Sequence, residues 1–313
     1  MAATNDNFNP VVVNNYAASA SPTSGSFTGS NIEIDSNRII GGNASVYIYG
    51  NGANTGIYFR GNRADSANYY GMYVYNIPVM KFTNNVFNML STGNVNAYGL
   101  YLSTCNATAT NYHEISGNKI NNCGYYGIYL TNCNGQASPR SQMYNNAIGG
   151  GFRNTNPSGI YFASSSYNWD VWHNSVNMDN LASGTNSAGL YVGQCCTTGS
   201  TLLDVRNNIF AVTATGSSSY PIYFSNGTTY AVRSTSAWNY NIYYKAGITN
   251  TQPFLYVGGT LQTIANFIGN GGFNTNSISQ NPNFVGNKDL RIVDGCFNGD
   301  SLGVTIDMDG NSR

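Results

Sequence analysis

Residues 117–130 read GNKINNCGYYGIYL, and 127–134 continue GIYLTNCN. Two short phrases alternate here. One is small–apolar–Tyr–apolar, GIYL at 127–130. The other is an Asn followed two places on by an apolar residue, Asn118 and Ile120. Both recur along the chain. The first appears as SVYI (45–48), GMYV (71–74), GLYL (99–102), GIYL (127–130), GIYF (159–162), GLYV (189–192) and PIYF (221–224), at spacings of 26, 28, 28, 32, 30 and 32 residues. The second appears at Asn37, Asn62, Asn85, Asn118, Asn146, Asn174 and Asn208, with an eighth copy at Asn241 in NYNIYY. A period of roughly 20–50 residues marks a solenoid. Strand-sized units make it a β-solenoid.

Alternation within each phrase sets which side chains face inward. The residues flanking Tyr are Val46 and Ile48, Met72 and Val74, Leu100 and Leu102, Ile128 and Leu130, Ile160 and Phe162, Leu190 and Val192, and Ile222 and Phe224. All are apolar. Side chains alternate faces along a strand, so these point inward and the central Tyr points outward. A one-residue slip would turn the whole apolar set to solvent, which fixes the register. The second phrase behaves alike. Ile34, Phe59, Phe82, Ile115, Met143, Val171 and Val205 stand three before the Asn, and Ile39, Ala64, Phe87, Ile120, Ile148, Val176 and Phe210 two after it. The Asn marks a corner, where it is expected to adopt αL and bond the Asn of the next coil as an internal ladder.

The expected fold is therefore all-β: a single-stranded, right-handed parallel β-helix of about seven or eight coils, roughly 35–40 Å long at one strand spacing per coil. Open coils expose sheet edges and need caps. Residues 1–30 lack the repeat and are expected to cap one end, 31–244 carry the repeats, and 245–313 are expected to cap the other. Within the last segment, LQTIANFIG (261–269) is the best helical candidate.

Composition agrees. Of 313 residues only 8% are charged, against roughly 25% for an average globular protein. Asn, Gly, Ser, Thr and Tyr replace them, as suits short strands and tight corners. The 25 tyrosines argue against disorder. The formal net charge is zero, and no basic stripe exists to neutralise phosphates, which argues against nucleic acid. No apolar run approaches the roughly 20 residues that span a bilayer. The opening MAATNDNFNP has neither a charged n-region nor an apolar h-region. Two readings follow: a cytosolic protein, or a mature domain whose signal and sorting segments are not part of this chain.

The repeats GIYLTNCN and GNKINNCGYYGIYL resemble the right-handed parallel β-helix repeats of the pectate-lyase-like superfamily. NYNIYYKAG (239–247), SISQNPNFVGNKDLRI (277–292) and LGVTIDMDGNSR (302–313) resemble the closing segments of secreted, cell-surface β-helix proteins of Bacteroidota. The resemblance covers about residues 30–313 and implies an extracellular or cell-surface location. It does not fix an activity, since the superfamily holds lyases, hydrolases, adhesins and inert fibres. Asp65-Ser66-Ala67 and Asp300-Ser301-Leu302 resemble the O-glycosylation triplets of the same bacteria.

Two faces are candidate sites. Tyr47, Tyr73, Tyr101, Tyr129, Tyr161, Tyr191 and Tyr223 stack on one outer face, widened by Tyr70, Tyr98, Tyr126 and Tyr220. Amphipathic rings suit a sugar or a protein partner, and an exposed aromatic patch usually means binding. The alternative is that in-register tyrosines only stabilise one another. The second face carries Glu33, Tyr58, Lys81, Glu114, Gln142, Asp170 and Asp204 in one row, and Asp35, Arg60, Thr83, Ser116, Tyr144, Trp172 and Arg206 in the next. Asp170 and Asp204 fall on adjacent coils, so their carboxylates are expected about 5 Å apart, a spacing compatible with glycoside chemistry. Trp172 and Arg206 would flank them, and Glu114, farther along the same row, joins Asp170, Asp204 and Arg206 as the alternative catalytic candidates. The calcium-binding acid cluster of the lyases and the Asp pairs and His of the polygalacturonase-like hydrolases have no match by motif, and the plainer reading is a solvated, mixed-charge face.

Other residues read as structural. His113 is inward beside Ser141, and His173 sits at a corner; two histidines without ligand spacing make no metal site. Cys105 and Cys133 share a position on neighbouring coils and form either a disulfide or a stack of buried thiols. Cys195-Cys196 is vicinal, and Cys123 and Cys296 have no partner evident in sequence. Asp307-Met308-Asp309-Gly310-Asn311 looks like a calcium loop, but its Gly is fourth where an EF-hand needs it sixth, so it reads as a closing turn with calcium as its one cofactor option. The expected function is a secreted or cell-surface module for adhesion, glycan binding or a structural role, without catalysis. Its expected partner is a polysaccharide, a surface glycan or a neighbouring protein. The alternative is a polysaccharide lyase or glycoside hydrolase.

Overall fold

A computed structural model describes residues 8–14, 27–53, 56–179, 187–193, 203–215, 219–225, 238–249, 252–257, 259–269, 274–293, 297, 299–300, 302–307 and 309–312. Each turn of the chain lays one strand on each of three parallel sheets, the arrangement of a parallel β-helix. The tyrosine sheet stacks Ala44–Tyr49, Tyr70–Tyr75, Tyr98–Ser103, Tyr126–Thr131, Ser158–Phe162, Ala188–Val192 and Tyr220–Phe224 in order. Val11–Val13 adds a parallel strand at one edge and Leu255–Val257 at the other, with Thr260–Gln262 antiparallel beyond it. The charged sheet stacks Ile32–Asp35, Ile57–Arg60, Met80–Thr83, Glu114–Ser116, Ser141–Tyr144, Trp169–Trp172, Asp204–Arg206 and Trp238–Asn239. A third sheet, entered just past each ladder Asn, stacks Arg38–Ile40, Arg63–Ala67, Val86–Met89, Lys119–Asn121, Ala147–Gly149, Ser175–Met178, Ile209–Val212 and Ile242–Lys245.

The inward residues fill the core as their alternation requires. None of the fourteen apolar residues flanking the repeat tyrosines is more than 2% exposed. Phe59, Phe82, Phe87, Ile115, Ile120, Met143, Ile148, Val171, Val176, Val205 and Phe210 are fully buried from the other two sheets. Ile34, in the end strand, is half-buried.

The small residue that opens each tyrosine phrase has a steric cause. A Cβ on Gly71, Gly99, Gly127, Gly159 or Gly189 would lie 2.5–2.7 Å from the carbonyl oxygen of the next coil. On Gly99, Gly127 and Gly159 it would also lie 2.2–2.3 Å from a branch methyl of Ile120, Ile148 or Val176 on the third sheet. The two sheets approach so closely there that only hydrogen fits.

The asparagine ladder is continuous. The backbone N–H and Nδ2 of each ladder Asn both donate to Oδ1 of the next, from Asn37 through Asn62, Asn85, Asn118, Asn146, Asn174 and Asn208 to Asn241. Nδ2 also donates to a carbonyl of the preceding coil, as Asn146 does to Ile115 at 2.8 Å. At the far end Ser277 Oγ accepts from the Asn241 amide. One expectation is corrected. The left-handed residue is not the ladder Asn but the one before it: Ser36, Gly61, Asn84, Gly117, Asn145, His173, Asn207 and Tyr240, with φ of 54–65°. That kink turns the chain into the third sheet and leaves the following Asn side chain free to run along the axis.

The helical segment is shorter than its candidate, Ile264–Gly269, because 260–262 form a strand. Phe267 meets the Tyr243 ring edge-on at 5.5 Å. Beyond it the chain runs back along the outside as a strap. Phe284, Ile292 and Phe297 pack on Ile209, Ala211 and Ile242 of the third sheet. Farther along, Ile306 O accepts from Asn145 Nδ2 at 2.8 Å, and Asp309 pairs with Lys119 at 3.1 Å.

Candidate functional site

The seven expected tyrosines lie in strict register, strand on strand. Tyr256 extends them to eight. Its phrase LYV (255–257) carries the same apolar–Tyr–apolar signal, but Phe254 replaces the small residue, which hid it. Spacings between successive ring centroids are 4.5, 5.1, 5.0, 5.2, 4.3, 4.7 and 4.2 Å. This is close to one coil per ring, so ring faces look along the axis at each other and edges look outward. Tyr161 and Tyr191 interrupt the stack with an edge-to-face contact, their planes 69° apart. Tyr47, Tyr191 and Tyr223 are 6–9% exposed. Tyr73, Tyr101, Tyr129 and Tyr161 are half-buried.

Two more rows flank this one. Tyr70, Tyr98 and Tyr126 align on one side, continued by Ser158, Ala188 and Tyr220. On the other side Tyr49 and Tyr75 stack at 4.4 Å, followed by Ser103 and Thr131. Burial pushes the phenols of Tyr47 and Tyr101 up to about 12 and those of Tyr70, Tyr73, Tyr98, Tyr126 and Tyr161 higher still. All therefore stay neutral hydroxyl donors at ordinary pH.

On the charged sheet Asp170 and Asp204 are directly paired in register, as are Trp172 and Arg206. Each acid already has a cation. Arg140, outside the repeat, holds Asp170 at 2.5 Å, and Arg206 holds Asp204 through Nε at 2.6 Å and reaches Asp300 at 2.7 Å. Asp170 is 7% exposed. Burial raises its pKa, with Arg140 opposing. The Arg206 guanidinium lies 5.8 Å from the Trp172 ring centroid. Glu114 sits two coils away, accepting from Tyr144 Oη at 2.6 Å and Ser116 Oγ at 2.9 Å, with Lys81 at 3.4 Å. Glycoside hydrolysis needs one protonated acid beside one free carboxylate. Here both acids are committed to guanidinium groups.

The remaining candidates have local partners. His113 is fully buried, its Nε2 3.1 Å from Cys105 O and its ring stacked on Trp169, and burial lowers its pKa to about 3. His173 Nε2 lies 3.2 Å from Asn207 Nδ2. Cys105, Cys123 and Cys133 are buried free thiols, so of the two options for Cys105 and Cys133 the structure takes the thiol stack. Cys195, Cys196 and Cys296 lie outside the described residues. In the tail, Asp307 Oδ1 accepts the N–H groups of Asp309 and Asn311, Asn311 Nδ2 donates to Asp307 Oδ2, and Asp309 faces Lys119. These acid oxygens are turned into the loop's own bonds, which does not fit a calcium cage. Ser66 lies within the strand Arg63–Ala67 and is half-buried. Ser301 of the second triplet lies outside the described residues. Among the described residues no helix is long and apolar enough to cross a membrane.

Comparison of the chain with protein-family models, with curated proteins and with solved structures finds no match.

Proposed function

We propose that this chain is a non-catalytic, secreted or cell-surface β-helix module that binds carbohydrate along its tyrosine sheet. The observation that carries this reading is the in-register wall of tyrosines, three rows wide at its broadest, with hydroxyls repeating once per coil. An extended polymer lying along the axis would meet the same groups at every coil, so weak contacts would add. The arginines on Asp170 and Asp204 argue against the lyase or hydrolase alternative. The resemblance of the repeats to the pectate-lyase-like superfamily, and of the closing segments to Bacteroidota surface proteins, supports an extracellular setting. No cofactor is needed.

The test is a polysaccharide pull-down on the purified chain, with calcium and with EDTA, that also reads released reducing or unsaturated ends. Retention without product, lost in a Tyr101→Ala/Tyr129→Ala variant, is the expected result. Product that disappears in Asp204→Asn would move the site to the charged sheet and replace this reading with the enzymatic one.

A further inference from the structure

Resting on the carbohydrate reading above, we infer that the wall takes a neutral polysaccharide, and that it reads this ligand through phenol hydroxyls and ring edges instead of by stacking sugars on ring faces.

The ring faces are already occupied. Tyr73 lies between Tyr47 at 4.5 Å and Tyr101 at 5.1 Å, and Tyr101 between Tyr73 and Tyr129 at 5.0 Å. Tyr223 lies between Tyr191 at 4.7 Å and Tyr256 at 4.2 Å. Atoms in contact need about 3.5–4 Å between centres, so no sugar ring enters these gaps. What reaches solvent from the half-buried rings is the edge, where the aromatic quadrupole is positive and attracts sugar oxygens.

The hydroxyls supply direction. They repeat once per coil along the in-register row, those of Tyr101 and Tyr129 among them. A hydroxyl has one donor hydrogen and two acceptor lone pairs. A polyol likewise both gives and takes hydrogen bonds, so it can match such a row. The raised phenol pKa values keep that donor in place across ordinary pH.

Charge selects the ligand class. Among the described residues the outward-facing rows of this sheet contain Tyr, Ser, Thr, Ala and Val, and no ionised side chain. The Lys245 ammonium, 5.1 Å from the Tyr220 ring centroid, touches the margin. Among the described residues a carboxylated or sulfated chain would give up hydration along these rows with no cation except Lys245 at the margin to meet it. A neutral chain pays no such cost.

The experiment measures binding of neutral glucan, mannan, xylan and galactan to the full chain, each beside its carboxymethylated counterpart. Variants are Tyr101→Phe/Tyr129→Phe and Tyr101→Ala/Tyr129→Ala. The Phe pair keeps the ring stack and removes only hydroxyls, so its melting temperature should match the wild type. Expected are binding of at least one neutral polymer, at least about tenfold weaker binding of its carboxymethylated form, and losses of about tenfold or more in both double variants. Full affinity in the Phe variant with loss in the Ala variant would overturn the hydroxyl readout while leaving the carbohydrate reading intact. Preference for the carboxymethylated polymers would overturn the neutral class alone. Unchanged binding in both variants, or no binding by the wild type, would sink both readings.

Discussion

Two nitrogens of Asn118, its backbone amide and its Nδ2, donate to a single atom, Oδ1 of Asn146, at 3.1 and 2.9 Å. Asn146 does the same to Asn174, and both are fully buried. Each ladder side chain therefore satisfies its neighbours on both sides. In Asn146→Ala the two Asn118 donors, the Ile115 carbonyl and Asn174 Oδ1 all lose partners. A buried polar group left unpaired costs about 1–3 kcal/mol, so we expect a loss of about 3 kcal/mol or more in urea unfolding. Asn37→Ala, at the exposed end of the ladder, should cost less than about 1 kcal/mol.

Gly127→Ala should be as severe for a different reason. Its Cβ would lie 2.3 Å from Ile148 Cγ2 and 2.5 Å from Gly159 O. Backbone oxygen cannot swing aside as a flexible side chain can, so the coils must part. Overpacking of this kind costs about 1–3 kcal/mol, and unfolding of the variant should fall at or beyond the upper limit. A stability equal to wild type would mean that the sheets separate more easily than the contact implies.

His113 should impose a pH dependence. Its folded pKa, about 3, lies below the unfolded value of 6.5 because burial disfavours the cation. Its Nε2 meets Cys105 O and its face the Trp169 ring, while the positive charge of Lys81 further disfavours the cation. The unfolded chain binds the extra proton between those two values. Its contribution is present above pH 6.5, falls with acidification by up to about 1.4 kcal/mol per pH unit, and is fully lost below about pH 3. Unfolding free energies from pH 7 to 4.5 should slope for the wild type and flatten for His113→Gln. Parallel slopes in the two proteins would assign the effect to other groups.

The strap should loosen at Asn207. Its Nδ2 donates to Asp300 O at 2.8 Å, and its Oδ1 accepts from the Asp300 amide at 2.9 Å. Asn207 has a φ of 59°, which Gly adopts without strain. Asn207→Gly thus removes two ties and leaves the corner intact. Hydrogen exchange at the Asp300 amide should speed up by about tenfold or more, while exchange at the ladder amides stays unchanged. Faster exchange along the whole ladder would show that strap and solenoid open together.

The repeat phrases determined the architecture on their own. Alternation is a property of a strand's own backbone, so Val46, Ile48 and their counterparts in every copy could be placed inside, and the tyrosines and Asp170–Asp204 in register, without any knowledge of neighbours. The third sheet was half legible, since Ile39 through Phe210 were placed inward but counted with the strand before the corner. The left-handed position was misplaced by one residue because Asn is common at such sites, whereas His173 and Tyr240 are rare there and gave no warning. Only the tertiary structure decided what each outer face presents. Ring orientation depends on packing between coils, and it turned an aromatic ladder into a wall of edges and hydroxyls. The partner of Asp170 comes from Arg140 in a connection of variable length, and Lys119 meets Asp309 across 190 positions. Such contacts depend on loop paths and chain return, which no local periodicity records.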